Sequence, residues 1–239
     1  MKTIYLDTET IGTPQDFPNE DIMFQLSYII EDSKLTFFND YMKPKRYLEM
    51  KPEAMAITSI TPEFLEDKPK KEETCYMDLK EILENEECYL IAHNLKFDLE
   101  VLQNSGININ SKVKLIDTIK VFEFLNDKQA LPYKQITLQY LKYFYRLDKE
   151  ERPKEVQGLS SHDSLNDAFD LYLLVNLVKE KFRADLDMML KLNEPFMLEY
   201  IPFGKNRGDK FKDLSYNQLK YYSSLDGNVA FTCKKILGE

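Results

Sequence analysis

Tyr5-Leu6-Asp7-Thr8-Glu9-Thr10 places two carboxylates inside what is otherwise the pattern of a buried strand. Side chains alternate along a strand, so Tyr5, Asp7 and Glu9 share one face while Ile4, Leu6 and Thr8 share the other. Like charges that close repel, and at neutral pH they stay ionised together when a cation sits between them. Two readings fit the stretch alone: a solvated strand end, or half of a metal site. A second set of acids on elements that otherwise read as core decides for the latter.

The chain has 239 residues, long for one domain and short for two, with 43% hydrophobic and 31% charged residues. That balance gives one full core, a soluble surface and a small appendage. No apolar run approaches the ~20 residues of a membrane-spanning helix, and the first residues carry no signal-peptide pattern. Three cysteines, Cys75, Cys88 and Cys233, lie far apart without ligand spacing, which predicts reduced thiols and a cytoplasmic protein. The net charge of -9 by itself counts against a nucleic-acid binder. The distribution softens this: residues 195–239 hold seven Lys/Arg against five Asp/Glu, so an acidic body precedes a mildly basic tail.

Residues 4–7, 24–30 and 35–42 read as strands joined by short connections, an antiparallel start to a sheet. Pro52 opens a short helix and Thr61 caps the next. Residues 70–87 are charged and read as a solvated connecting helix. Residues 88–92 form a buried strand followed directly by a helix that ends near Gly106. In that helix Leu95, Leu99 and Leu102 mark the core stripe and Asp98 falls inside it. An acid there is either a first-turn residue favoured by the helix dipole or a paired or metal-bound group. Residues 114–118 read as a strand, 119–125 and 136–147 as helices, and 148–158 as a charged, mobile loop. The longest helix runs from Ser161 to about Phe182 with Leu171, Leu174, Val175 and Val178 buried. Asp167 lies near the centre of that stripe, and Asp163 and Asp170 towards its edge. After a linker over 183–194, residues 200–208 read as a strand and a Gly-bearing turn, and 214–225 as a helix.

Asp7, Glu9, Asp98 and Asp167 are thus four acids on three elements. Two cations about 3.5–4 Å apart can clamp a phosphodiester, and hard oxygen donors without cysteine favour magnesium or manganese.

Residues 5–10, the segment Ala92-His93-Asn94-Leu95-Lys96-Phe97-Asp98, and His162 five positions before Asp167 resemble the three motifs of the DnaQ-like (DEDDh) 3'-to-5' exonucleases. The resemblance covers about residues 1–180 and implies a ribonuclease H-like α/β fold, a mixed sheet flanked by helices. It implies an exonuclease domain over 1–182, with Asp7, Glu9, Asp98 and Asp167 ligating two divalent ions, Mg2+ or Mn2+, and His162 as general base. Independently, an imidazole with a reference pKa of about 6.5 suits proton abstraction at neutral pH. Substrate contacts are implied at Thr8 and Thr10, at Ile57 and Ile60 of the segment that helps hold the terminal nucleotide, and at His93 and Asn94. His93 reads as structural or substrate-adjacent, and Phe97 as a core residue. Ser59 stands where many relatives have Gly.

Residues 195–239, with Pro202-Phe203-Gly204-Lys205-Asn206-Arg207-Gly208, are similar to the small C-terminal module of the exodeoxyribonuclease X group, with a nucleic-acid or protein partner to match. The implied function is release of nucleoside monophosphates from DNA 3' ends, single-stranded or frayed, in repair. Rivals are an RNA-trimming exonuclease of the same fold and a polymerase-associated proofreading or scaffold protein.

Overall fold

The computed structural model describes residues 1–130 and 132–239. Five strands form one sheet in the order β3-β2-β1-β4-β5: β1 (Lys2–Thr10), β2 (Met23–Glu31), β3 (Leu35–Tyr41), β4 (Cys88–Ala92) and β5 (Lys114–Asp117). β1, β2 and β3 pair antiparallel, whereas β1–β4 and β4–β5 pair parallel. The short connection between β2 and β3 permits only antiparallel pairing, and the parallel strands need the helical crossovers that the sequence supplies. This is the mixed sheet of a ribonuclease H-like fold.

Four helices come before the end of β5: α1 (Pro52–Thr58), α2 (Pro62–Leu65), α3 (Tyr76–Asn85) and α4 (Leu95–Asn104). Then follow α5 (Thr118–Lys128), α6 (Leu138–Phe144), α7 (Ser164–Lys181), α8 (Leu186–Lys191), α9 (Tyr216–Ser223) and α10 (Gly227–Leu237). Thr61 caps α2 by position alone, since its side chain makes no cap hydrogen bond. Among the described residues no helix is long and apolar enough to cross a membrane.

The period of two in β1 sorts its neighbours. Ile4 and Leu6 join the core with Leu79, Leu83, Val101 and Leu102 of α3 and α4. On the opposite face Tyr5 meets Tyr172 of α7 edge to face at 5.3 Å, and Ser27, paired with Asp7 across β1–β2, touches Ser164 of α7. The sheet therefore separates α3 and α4 from α7, and β1 contributes side chains to both layers.

Several elements depart from the sequence expectations. Residues 70–87 are not a solvated helix: a 3-10 turn precedes α3, which buries Tyr76, Leu79 and Leu83 on one face. Charge on the other positions masks that stripe. In α4 Val101 is buried, while Leu99 is only half-buried. The loop expected to be mobile is fastened by Arg152, whose guanidinium donates to Asn166 Oδ1 (2.8 Å) and Asp170 Oδ1 (2.5 Å).

Contacts divide the chain into one compact unit of Met1–Thr118 with Leu138–Arg183 and a second of Ile119–Thr137 with Ala184–Glu239. Residues 119–137 and the linker stretch thus fold with the tail. Within the second unit Leu198, Ile201, Phe211, Leu219, Tyr222, Val229 and Cys233 form the core. Asp127 accepts the backbone N–H groups of Glu199 (2.7 Å) and Tyr200 (2.9 Å), which ties α5 to the tail chain. α10, absent from the sequence expectations, ends at Gly238 with φ +76°.

Candidate active site

β1 ends in the middle of the sheet, where the antiparallel and parallel halves meet, and Asp7 and Glu9 are half-buried there. Thr8, on the other face of the strand, donates its hydroxyl proton to Asp98 Oδ1 at 2.8 Å. Asp98 is buried in the first turn of α4, just beyond the carboxyl end of β4. Crevices outside the carboxyl ends of strands are the usual ligand sites of α/β sheets.

The turn entering α4 is set by Asn94 at φ +77°, whose backbone N–H donates to Asp117 Oδ1 (3.1 Å). His93 Nδ1 lies 2.9 Å from Thr118 Oγ1, and that hydroxyl donates to Ala92 O at 3.2 Å. The His93 ring is therefore held against the end of β5.

The start of α7 is fixed from the opposite face. Asp163 caps the helix by accepting the Leu165 N–H (3.1 Å), and its other oxygen accepts the Tyr41 hydroxyl (3.2 Å). Ser164 Oγ lies 2.6 Å from Ser27 Oγ. His162, just before the cap, takes φ +63° and leaves 45% of its side chain exposed. Its backbone N–H donates to Asp167 Oδ2 at 3.3 Å, and its Nδ1 lies 4.0 Å from that oxygen. Asp167 Oδ1 accepts from Gln139 Nε2 (3.0 Å) and Asn166 Nδ2 (3.2 Å). Ligand atoms of Glu9, His162 and Asp167 all lie within 4.8 Å of one another.

Electrostatics join Asp7 and Asp98 to that group. Withdrawal from water raises the Asp7 carboxyl well above its ordinary range, and Glu9, Asp167 and Asp98 raise it further. Burial, then the charges of Asp167 and Asp98, lifts Glu9 to about 8. Burial lifts Asp98 to about 7 against the opposing Thr8 hydrogen bond. Burial and Asp170 lift Asp167 to about 6, opposed by His162. Four carboxyls whose ionisation is mutually disfavoured are a donor set that divalent cations fit, and every donor is a hard oxygen.

Thr8, Glu9, Thr10, Ala54, Ile57 and Phe97 wall a hollow of about 590 Å³ beside the acids. Ile57 is 54% exposed there, whereas Ile60, His93 and Asn94 are not among its walls. Phe97 both packs on the core and reaches this hollow. Ser59 sits at φ +60° as the C-cap of α1, the left-handed backbone that glycine would adopt more readily. Gly12 is required for a different reason: a Cβ there would lie 2.7 Å from the Phe17 ring and 2.9 Å from Lys51 Cγ.

Sequence reasoning did not find the groups behind Asp167. Asp170, expected at the edge of the helical stripe, is 0% exposed and pairs with Lys142 Nζ (2.7 Å) and Arg152. Asn166 Nδ2 spans Asp167 and Asp170. The spacing of four between Asn166 and Asp170 was the available signal, but Lys142 and Arg152 come from segments that only the fold brings near.

Residues 4–175 match the family model described as Exonuclease, well over half of the chain. The chain belongs to this exonuclease family. Among relatives, it is similar to the "3'-5' exonuclease DinG" of Staphylococcus saprophyticus, 30% identical over 129 residues, covering 52% of this chain and 14% of that protein. The chain spans less than a fifth of the length of the curated relatives it matches. Among solved structures it is similar to exonuclease X in complex with 5' overhanging duplex DNA, with TM-score 0.59, 23% identity, and coverage of 81% of this chain and 99% of that one. It is also similar to Escherichia coli exonuclease I in complex with a dA16 oligonucleotide, with TM-score 0.59, 18% identity, and coverage of 80% and 42%. These likenesses establish the fold.

Proposed function

We propose that the protein is a metal-dependent 3'-to-5' exonuclease that hydrolyses DNA phosphodiesters and releases nucleoside monophosphates. The observation that carries this reading is the set of four mutually disfavoured carboxyls on β1, α4 and α7 with an exposed imidazole at its rim. Asp7, Glu9, Asp98 and Asp167 would hold two Mg2+ or Mn2+ ions. When bound, the ions supply positive charge that offsets the carboxylates and the charge developing on the phosphoryl and leaving oxygens.

His162 accepts a proton from the attacking water, and its exposure leaves the ring reachable by solvent. Its left-handed backbone turns the N–H towards Asp167, so the base and the acid are fixed by one local conformation. The bond between phosphorus and the 3' oxygen breaks as water oxygen bonds to phosphorus, and the departing oxygen ends protonated. The hollow walled by Thr8, Thr10 and Ile57 takes the terminal nucleotide. Polarity is supported by the likeness to the 3'-5' exonuclease DinG, and the choice of DNA by the DNA bound to exonuclease X and exonuclease I. The exonuclease motifs all lie in the unit of Met1–Thr118 with Leu138–Arg183, and a repair role in the cytoplasm completes the reading.

The test is a comparison of end-labelled single-stranded DNA, frayed duplex DNA and RNA of one sequence with Mg2+ or Mn2+. Faster mononucleotide release from DNA is expected, and preferential digestion of RNA overturns the assignment of substrate.

A further inference from the structure

In the second unit, residues 202–208 form a turn closed by the bridge between Tyr200 and Lys210, with Gly208 N–H donating to Ile201 O at 2.9 Å. Gly204 takes φ +71°, and a Cβ there would meet nothing within 4 Å, so the turn presents bare backbone at its surface. Tyr222 of α9 holds the turn by donating its hydroxyl proton to Asn206 Oδ1 (3.2 Å). Arg207 Nη2 holds it from the other side by donating to Tyr133 O (2.5 Å).

Turn and α9 wall an open groove of about 570 Å³ whose lining includes Phe203, Lys205, Asn206, Asn217, Tyr221 and Tyr222. Phe203 is 46% exposed and Tyr221 is 65% exposed, and each meets the buried Tyr222 ring at a steep angle, at 6.4 Å and 5.2 Å. One buried ring thus braces two exposed ones. Among the described residues no carboxylate lines the groove, although the chain carries a net charge of -9. Lys210 and Lys220 are paired with Glu199 and Glu239, whereas Lys205 has no carboxylate partner among the described residues.

We propose that this groove binds single-stranded nucleic acid, with bases stacking on Phe203 and Tyr221 and a phosphate meeting Lys205. Aromatic faces with a lysine, beside an Asp209 carboxylate that is engaged by Asn206 Nδ2 at 2.9 Å, match the chemistry of sequence-tolerant single-strand binding. The choice of nucleic acid as ligand rests on the exonuclease reading above.

The test uses the full chain in EDTA, where no turnover occurs, with a fluorescein-labelled oligothymidylate of about 15 nucleotides followed by anisotropy. Phe203→Ala and Tyr221→Ala each weaken binding about tenfold, and Tyr221→Phe, which keeps the stacking face, retains it. Lys205→Gln flattens the logarithmic dependence of affinity on salt by roughly 0.7. Unchanged affinity and salt slope across these variants overturn the proposal. It is equally overturned if a proline-rich peptide binds, and these substitutions abolish that binding while oligothymidylate binding stays unchanged. Hydrolysis of thymidine 5'-phosphate p-nitrophenyl ester by the wild type reads the catalytic acids alone. Its failure counts against the exonuclease reading and leaves the groove measurement standing.

Discussion

Thr8 Oγ1 donates to Asp98 Oδ1 across 2.8 Å, a buried link between the strand that carries Asp7 and Glu9 and the helix that carries the third acid. The hydrogen bond favours the ionised carboxylate, opposing the rise that burial imposes on Asp98. It also fixes the position of one Asp98 oxygen. Thr8→Val keeps the shape of the side chain and removes the donor. Groups that orient metal ligands are worth about 10- to 100-fold in metal affinity or activity. The variant is expected to need about tenfold more Mg2+ for half-maximal hydrolysis. A magnesium titration of the initial rate measures it.

The acids make the metal-free chain sensitive to alkali. Glu9, Asp98 and Asp167 titrate near 8, 7 and 6 in the folded state, above the ordinary carboxylate range, and Asp7 is also raised. Between about pH 4 and pH 8 the folded chain therefore holds more protons than the unfolded one. Their contribution to stability is present below the unfolded values and lost as pH rises through the folded values. Urea melts in EDTA should show a lower midpoint at about pH 8.5 than at about pH 5.5. Added Mg2+ should raise the midpoint more at the higher pH, because the ions bind the ionised carboxylates.

Asp170 is the anchor behind Asp167. It is buried without exposure between Lys142 and Arg152, and Asn166 ties it to Asp167. Asp170→Asn leaves Lys142 buried without its carboxylate and should cost about 3–5 kcal/mol, read by urea denaturation. The change Asp170→Leu with both Lys142→Met and Arg152→Met, which replaces the whole ionic group, should recover much of that stability. It should still lower the metal-dependent rate, because Asn166 loses the acceptor that orients it.

The contrast between Asp167 and Asp170 shows where the sequence is informative. Asp7 and Glu9 were legible because strand alternation puts them on one face, and Asp98 because it interrupts an apolar stripe. The stripe through Leu171, Leu174, Val175 and Val178 suited a helix buried on one side only. The first turns of α7 are enclosed all round: every residue from Ser164 to Leu171 is buried, so Asp170 lies inside. Amphipathic spacing cannot show that second enclosure, since it comes from α6 and from Arg152 on a distant loop. The stripe of α3 was hidden for a simpler reason, the charge on its other positions.

His162 tests the division between holding ions and moving protons. His162→Ala removes the exposed imidazole but leaves its backbone N–H and the four carboxyls. Hydrolysis should fall on the order of 10²- to 10⁴-fold. Mn2+ affinity, followed by calorimetry, should stay within about twofold of the wild type if the carboxyls are the ligands. A matching loss of Mn2+ affinity would instead make His162 a metal ligand, as its place among the clustered ligand atoms also permits.

The central claim is that the carboxyls of β1, α4 and α7 act together in metal-dependent removal of nucleotides from a 3' end. A single gel measures it, with 5'-labelled single-stranded DNA digested by the wild type and by Asp167→Asn, each with Mg2+ and with EDTA. The wild type with Mg2+ should give a ladder that shortens stepwise from the 3' end, and the other three lanes should leave the substrate intact. Internal cutting, digestion in EDTA, or a wild-type rate in Asp167→Asn would contradict the account.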